Sequence, residues 1–204
     1  YKDEQTLIAE PISYSSSSYT ETLNNEFDST IKKSIDSWYA TNLINYTSYL
    51  ADSTFCNDRS IYIGTGYRVF ENTLYKTYDT FKGKLSPTLN CSNISDSFKV
   101  SNDLAKLNYP VALITVNEAI MAGMINNSSS QNYLYTTAPY WTMTASDYDA
   151  GNFFAHNAWI MGGKIEISVR VVETGGIRPV ININKDVNIL KGDGTSISPY
   201  ILTE

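Results

Sequence analysis

Apolar residues at Ile31, Ile35, Trp38 and Tyr39 recur at the i, i+4, i+7 and i+8 spacing of one helix face. Lys32, Lys33 and Asp36 fall on the opposite face, and Asp28 or Ser29 supplies the cap. A second helical stretch is expected near 43–50. Residues 1–10 also have helical composition and stop at Pro11, as the last turns of a longer helix would. The serine-rich run at 13–19 reads as a linker. Glycines and aromatics punctuate 61–70, which reads as strand or ordered loop, and 72–109 reads as largely irregular. After Pro110 the pattern sharpens. Val111 to Ile114 forms a short buried strand, and Thr115 with Glu118 makes a capping box that opens a helix ended by Gly123. Residues 126–132 read as a polar loop, and 133–136 and 140–144 as strands. Gly162-Gly163 centres a hairpin. Beyond it, Lys164, Glu166, Ser168 and Arg170 alternate with Ile165, Ile167, Val169 and Val171, the period of a strand buried on one side. Strands at 177–183, 187–190 and 199–202 follow, the last after a Gly192-Asp193-Gly194 turn. Each half runs helix first and sheet second. The expected fold is therefore α+β, a helix packed on antiparallel sheet, in two units at 1–109 and 110–204.

Composition narrows the function. The 204 residues include 23 Ser, 20 Thr, 19 Asn and 16 Tyr, while charged residues are only 18%. Polarity carried by uncharged groups suits a secreted or surface protein. A net charge of −6 argues against nucleic acid and anionic membrane surfaces as partners. The two cysteines, Cys56 and Cys91, admit two readings. One is a disulfide in a secreted chain, contributing roughly 3–4 kcal/mol on the chain-entropy model. The other is a structural Zn2+ held by two thiolates and completed by His156 or an Asp.

Catalysis finds little support. The single histidine, His156, is the only centre around which Ser-His-Asp chemistry could form, and no Gly-x-Ser-x-Gly lies near it. Acid pairs can be drawn from Asp147, Asp149, Glu166 and Glu173, with Asp147 and Asp149 expected in a solvated loop. Aromatic residues crowd 133–159, including Tyr133, Tyr135, Tyr140, Trp141, Tyr148 and Trp159. The favoured reading packs most of them in the core, and a sugar- or protein-binding surface is the rival.

Several phrases occur in a suggestive order: Phe55-Cys56-Asn57-Asp58-Arg59-Ser60, Tyr109 to Thr115, Tyr140-Trp141-Thr142-Met143, Gly176-Ile177-Arg178-Pro179-Val180, and Gly192-Asp193-Gly194-Thr195 with Pro199-Tyr200. From Asp28 onward the chain resembles surface proteins of low-GC Gram-positive bacteria, and above all clostridial type IV pilins. The resemblance implies a pilin-like α+β head displayed on an extracellular pilus (fimbrium), without its N-terminal hydrophobic helix. It implies a structural, non-enzymatic subunit with no organic cofactor. The expected partners are other pilin subunits and host or matrix ligands in cell adhesion, with membrane contact only through the absent helix. It also weighs toward Zn2+ on Cys56 and Cys91, with His156 as the third candidate ligand. Tyr140-Trp141 and Gly176-Ile177-Arg178-Pro179 are similar as well to bacterial C-type-lectin-like domains, which implies an extracellular carbohydrate- or protein-binding module.

Overall fold

A computed structural model describes residues 12–13, 25, 28–65, 71–124, 132–152, 154–195 and 197–203. The possible stalk remnant at 1–10, most of the serine-rich linker and most of the 126–132 loop lie outside them. In chain order the strands and helices are β1 (Ile12–Ser13), α1 (Thr30–Asn42), β2 (Phe55–Cys56), β3 (Ile61–Ile63), β4 (Thr73–Tyr75), α2 (Lys76–Phe81) and β5 (Ser97–Phe98). Then come β6 (Val111–Leu113), α3 (Val116–Met121), β7 (Tyr140–Asp149), β8 (Phe154–Met161), β9 (Lys164–Arg170), β10 (Thr174–Gly175), β11 (Pro179–Ile181), β12 (Asn188–Lys191) and β13 (Ile201–Thr203). The fold is α+β with antiparallel pairing between the named strands.

The main sheet has the order β3-β4-β7-β8-β9, and four two-stranded ribbons surround it. Strands from both sides of residues 109 and 110 share this sheet, through Thr73↔Tyr148 and Leu74↔Asp147. Central β7 is buried on both faces from Tyr140 to Tyr148. Trp141, Met143 and Ala145 enter the larger core with Ile31, Ile35 and Tyr39 of α1, Phe55 of β2 and Val111 and Leu113 of β6. Tyr140 enters the smaller core with Val116 and Ala119 of α3 and with Ala158, Ile160 and Ile165.

Local signals worked where short-range contacts decide. Ser29 caps α1, its Oγ accepting the Lys32 N–H at 3.1 Å, and Ile31, Ile35 and Tyr39 are its buried face. Thr115 and Glu118 close the capping box of α3 as its residue pattern requires. Gly162 and Gly163 adopt φ of 56° and 73°, the left-handed pair that a two-residue hairpin turn demands.

Other expectations are corrected. Residues 43–50 contain a 3-10 helix, Ile44–Tyr49, rather than an α-helix. Residues 133–136 are turn and irregular backbone, not strand. The stretch 72–109 carries β4, α2, a 3-10 turn at Ile94–Asp96 and β5. The aliphatic stripe of β9 does not face one side. Ile165 and Ile167 pack on the smaller core, whereas Val169 and Val171 pack on the larger. Ser168, at φ 61°, turns the strand over between them, beside a register shift opposite Asn157 and Trp159.

Candidate functional site

Cys56 and Cys91 form a disulfide with Cα atoms 5.5 Å apart, inside the ordinary range. Cys56 sits on β2, which pairs with β5 through Phe55↔Phe98 and Cys56↔Ser97. The bridge therefore ties this ribbon to the segment that leads into it. Oxidised sulfurs are not thiolates, and the structure does not gather His156 with them. Among the described residues, no three His, Cys, Asp or Glu side chains converge as metal ligands. The residues named for Zn2+ thus do not fit a metal site in this form, and the alternative reading of the cysteine pair is the one formed. A disulfide belongs to an oxidising compartment, which fits a secreted or extracellular chain. No helix among the described residues is long and apolar enough to cross a membrane.

His156 lies on β8, only 8% exposed, with its Nδ1 2.6 Å from Asp147 Oδ1. Asp147 is 7% exposed within β7, so the expected solvated loop is corrected to a buried strand position. Its Oδ2 accepts the hydroxyls of Ser146 and Ser168, each at 2.7 Å, and the Ser168 N–H donates to Ser146 Oγ at 3.1 Å. The residue types are those of a hydrolase triad, but the order is not. Both serines are bonded to the carboxylate. A nucleophilic serine must instead share its proton with the imidazole nitrogen that faces away from the acid. The cluster satisfies a buried charge and holds Ser168 in its left-handed conformation, and it offers no activated nucleophile.

The aromatic crowd divides between buried, half-buried and exposed positions. Tyr140, Trp141 and Tyr148 are buried, with Trp141 stacked at a tilt on Trp159 at 5.4 Å. Trp159 Nε1 donates to Glu166 Oε2 at 2.6 Å, and Tyr133 is 53% exposed.

Beside the first turns of α1 lies a groove of about 310 Å³, which the sequence did not single out. Ile31 and Ile35 of α1, Phe98, Leu107, Leu113 and Met143 give it apolar lining. Its polar groups are held in place by one another. Lys32 Nζ lies 3.3 Å from Asp28 and 2.6 Å from Asp36, and Asn108 Nδ2 donates to Asp36 Oδ2 at 2.7 Å. Arg59 is clamped on buried Asp96, with Nε 2.7 Å from Oδ1 and its N–H 3.0 Å from Oδ2. Asn25 Nδ2 ties Ser95 O and Leu104 O together at 2.7 and 2.6 Å, joining two walls. Asn57, the residue after Cys56, lines the groove at 5% exposure. Its one visible sequence signal was its place in the Cys56-Asn57-Asp58-Arg59 phrase, since the groove's far wall comes from residues 103–113.

Comparison with protein-family models, with curated proteins and with solved structures finds no match to this chain.

Proposed function

We propose that this chain is the head of a type IV pilin-like subunit, exported and displayed on the cell surface, and that its work is assembly and adhesion rather than catalysis. One observation carries the reading: a capped amphipathic helix, α1, is laid with its Ile31, Ile35 and Tyr39 face on the larger core of an antiparallel sheet, in a chain closed by a disulfide. The arrangement of His156, Asp147, Ser146 and Ser168 agrees with it, because nothing there activates a nucleophile. Antibodies to this chain should label filaments sheared from the source cells, and the chain should co-purify with those filaments. A chain found only in the culture fluid or the cell envelope would sink the filament reading.

A second reading, a lectin-like binding module outside any filament, is favoured by the groove beside α1. The Zn2+ expectation stands apart from both and concerns the reduced chain, in which Cys56 and Cys91 would offer two thiolates. Elemental analysis of untreated protein with thiol titration in denaturant decides it. Zinc with two titratable thiols supports the metal, and neither supports the bridge.

A further inference from the structure

The main sheet ends in two edges that differ in protection. At one end, β9 carries the exposed charges of Lys164 and Arg170 and is bent by the bulge at Ser168. Charge and bulging are devices by which a sheet edge resists pairing with another chain. At the other end, β3 shifts register against β4 but carries neither charge nor proline. Its Ile61, Tyr62 and Ile63 are all exposed, Ile63 at 52%, so both faces of this strand stand open. Among the described residues no strand pairs with its outer side.

The C-terminal ribbon has the converse need. The ribbons β1–β10, β2–β5 and β6–β11 each hold at least one buried residue, whereas β12–β13 holds none. Ile189, Leu190, Tyr200 and Ile201 are exposed on it, Leu190 at 66%. Two strands alone are marginal in water, and a third strand or a packed face is what makes such a ribbon stable. Charge favours joining it to β3. Residues 58–85 carry five basic and three acidic side chains, and residues 184–204 carry two basic and three acidic, so the two regions are opposite in sign. Lys84 brings part of that positive charge to the edge itself, its Nζ 5.8 Å from the Tyr62 ring centroid. The edge lacks a strand and the ribbon lacks a sheet, and a second copy of this chain supplies both.

We propose that the chain associates with copies of itself head to tail, the β12–β13 ribbon of one copy adding to the β3 edge of the next. The main sheet would grow from five strands to seven at each joint. Because the joint uses two different surfaces, it repeats from copy to copy and does not stop at a symmetric dimer. The proposal goes beyond the pilin reading and does not depend on it, since the assay below measures self-association of the purified chain and not its presence in filaments.

Sedimentation velocity on the full chain tests it. Between about 10 μM and about 1 mM the mean mass should rise past that of a dimer. Ile61→Lys with Ile63→Lys puts unpaired charge on the edge, and Leu190→Lys with Ile201→Lys puts it on the ribbon. All four side chains are exposed, so neither double variant removes core packing. Each variant should stay monomeric at about 1 mM. A mixture of the two should form a dimer and stop there, because only one intact edge meets one intact ribbon. On the native chain, exchange protection of the amides of residues 61–63 and 188–191 should rise with concentration, a measurement that needs no variant. A native chain that remains monomeric at about 1 mM would overturn the proposal. So would association that survives either double variant, as a symmetric ribbon–ribbon or edge–edge contact would give, or a mixture that stays monomeric.

Discussion

The two faces of the main sheet are built on different physics. On one, β7 presents Trp141, Met143 and Ala145 to α1, β2 and β6, and the contacts are apolar and large. On the other it presents Tyr140 and then the small hydroxyls of Thr142, Thr144 and Ser146. There Thr142 Oγ1 donates to Ala158 O at 2.7 Å, and Thr144 Oγ1 accepts the Val116 N–H at the start of α3 at 3.0 Å. The first face is held by buried area, the second by satisfied polar groups packed beside a small core. Removing volume should therefore hurt the first face, and removing single hydrogen bonds should hurt the second.

The largest expected effect is on the apolar face. Trp141 is fully buried, and a Cβ added at Gly175 would stand 3.0 Å from its Nε1, so the indole fills a closely fitted slot. Trp141→Ala should cost about 3–5 kcal/mol, read as a lower urea midpoint. Loss of no more than about 1 kcal/mol would mean that this face collapses as easily as a loop.

The same face has a covalent tie, since Phe55 of the bridged ribbon is part of its core. Replacing both Cys56 and Cys91 by Ser opens a loop of sequence separation 35 and should cost roughly 3–4 kcal/mol. Reduction with dithiothreitol should lower the melting temperature of the native chain and leave that of the double variant unchanged.

On the polar face, Thr144→Val conserves shape and orphans the Val116 N–H. It should cost about 1–3 kcal/mol, with exchange protection lost first in α3. A neutral outcome would erase the contrast between the faces.

Ser168 sharpens the comparison further, because it is where β9 passes from one face to the other. Ser168→Ala and Ser168→Gly both remove the hydroxyl bonded to Asp147, but only Ala keeps a Cβ in the left-handed region. Ala should be the worse by about 1 kcal/mol. Equal losses would show that the hydroxyl alone matters.

The smallest effect lies outside both faces. Burial opposes ionisation of Asp52, but bonds from the Ser101 side chain and from the Val100 and Ser101 N–H groups outweigh it and hold its carboxyl below the usual value. A depressed folded pKa stabilises the protein above the unfolded value, about 3.9, and that stability disappears as pH falls through the lower folded pKa. Asp52 is exposed, so the gain is small. Asp52→Asn should flatten the acid limb of the stability curve slightly, and in the native chain the Asp52 carboxyl should titrate below the usual aspartate range by NMR.

What the sequence determined by itself is what neighbours along the chain decide. Ser29 caps α1, Thr115 and Glu118 box α3, and Gly162-Gly163 turns the hairpin, each through contacts spanning only a few residues. Burial of Tyr140 and Trp141 was legible in a similar way, from apolar bulk on an expected strand, whereas Tyr148 lies in a stretch that reads as a solvated loop and is buried by its place in β7. Tertiary structure alone decided the rest. The three residues of β4 carry no strand signal. They are a strand because Ile61 to Ile63 on one side and Tyr148 and Asp147 on the other supply partners distant in sequence. Asp147 is buried because His156 on the neighbouring strand β8, Ser168 on β9 beyond it and the adjacent Ser146 satisfy it. The reversal at Ser168 is invisible in an unbroken alternation, since it answers to two cores and not to one. The cysteine pair chose the bridge because the fold sets its Cα atoms 5.5 Å apart and brings no third ligand near. The groove exists only where α1, the 57–59 loop and 103–113 meet, and no local pattern records that meeting.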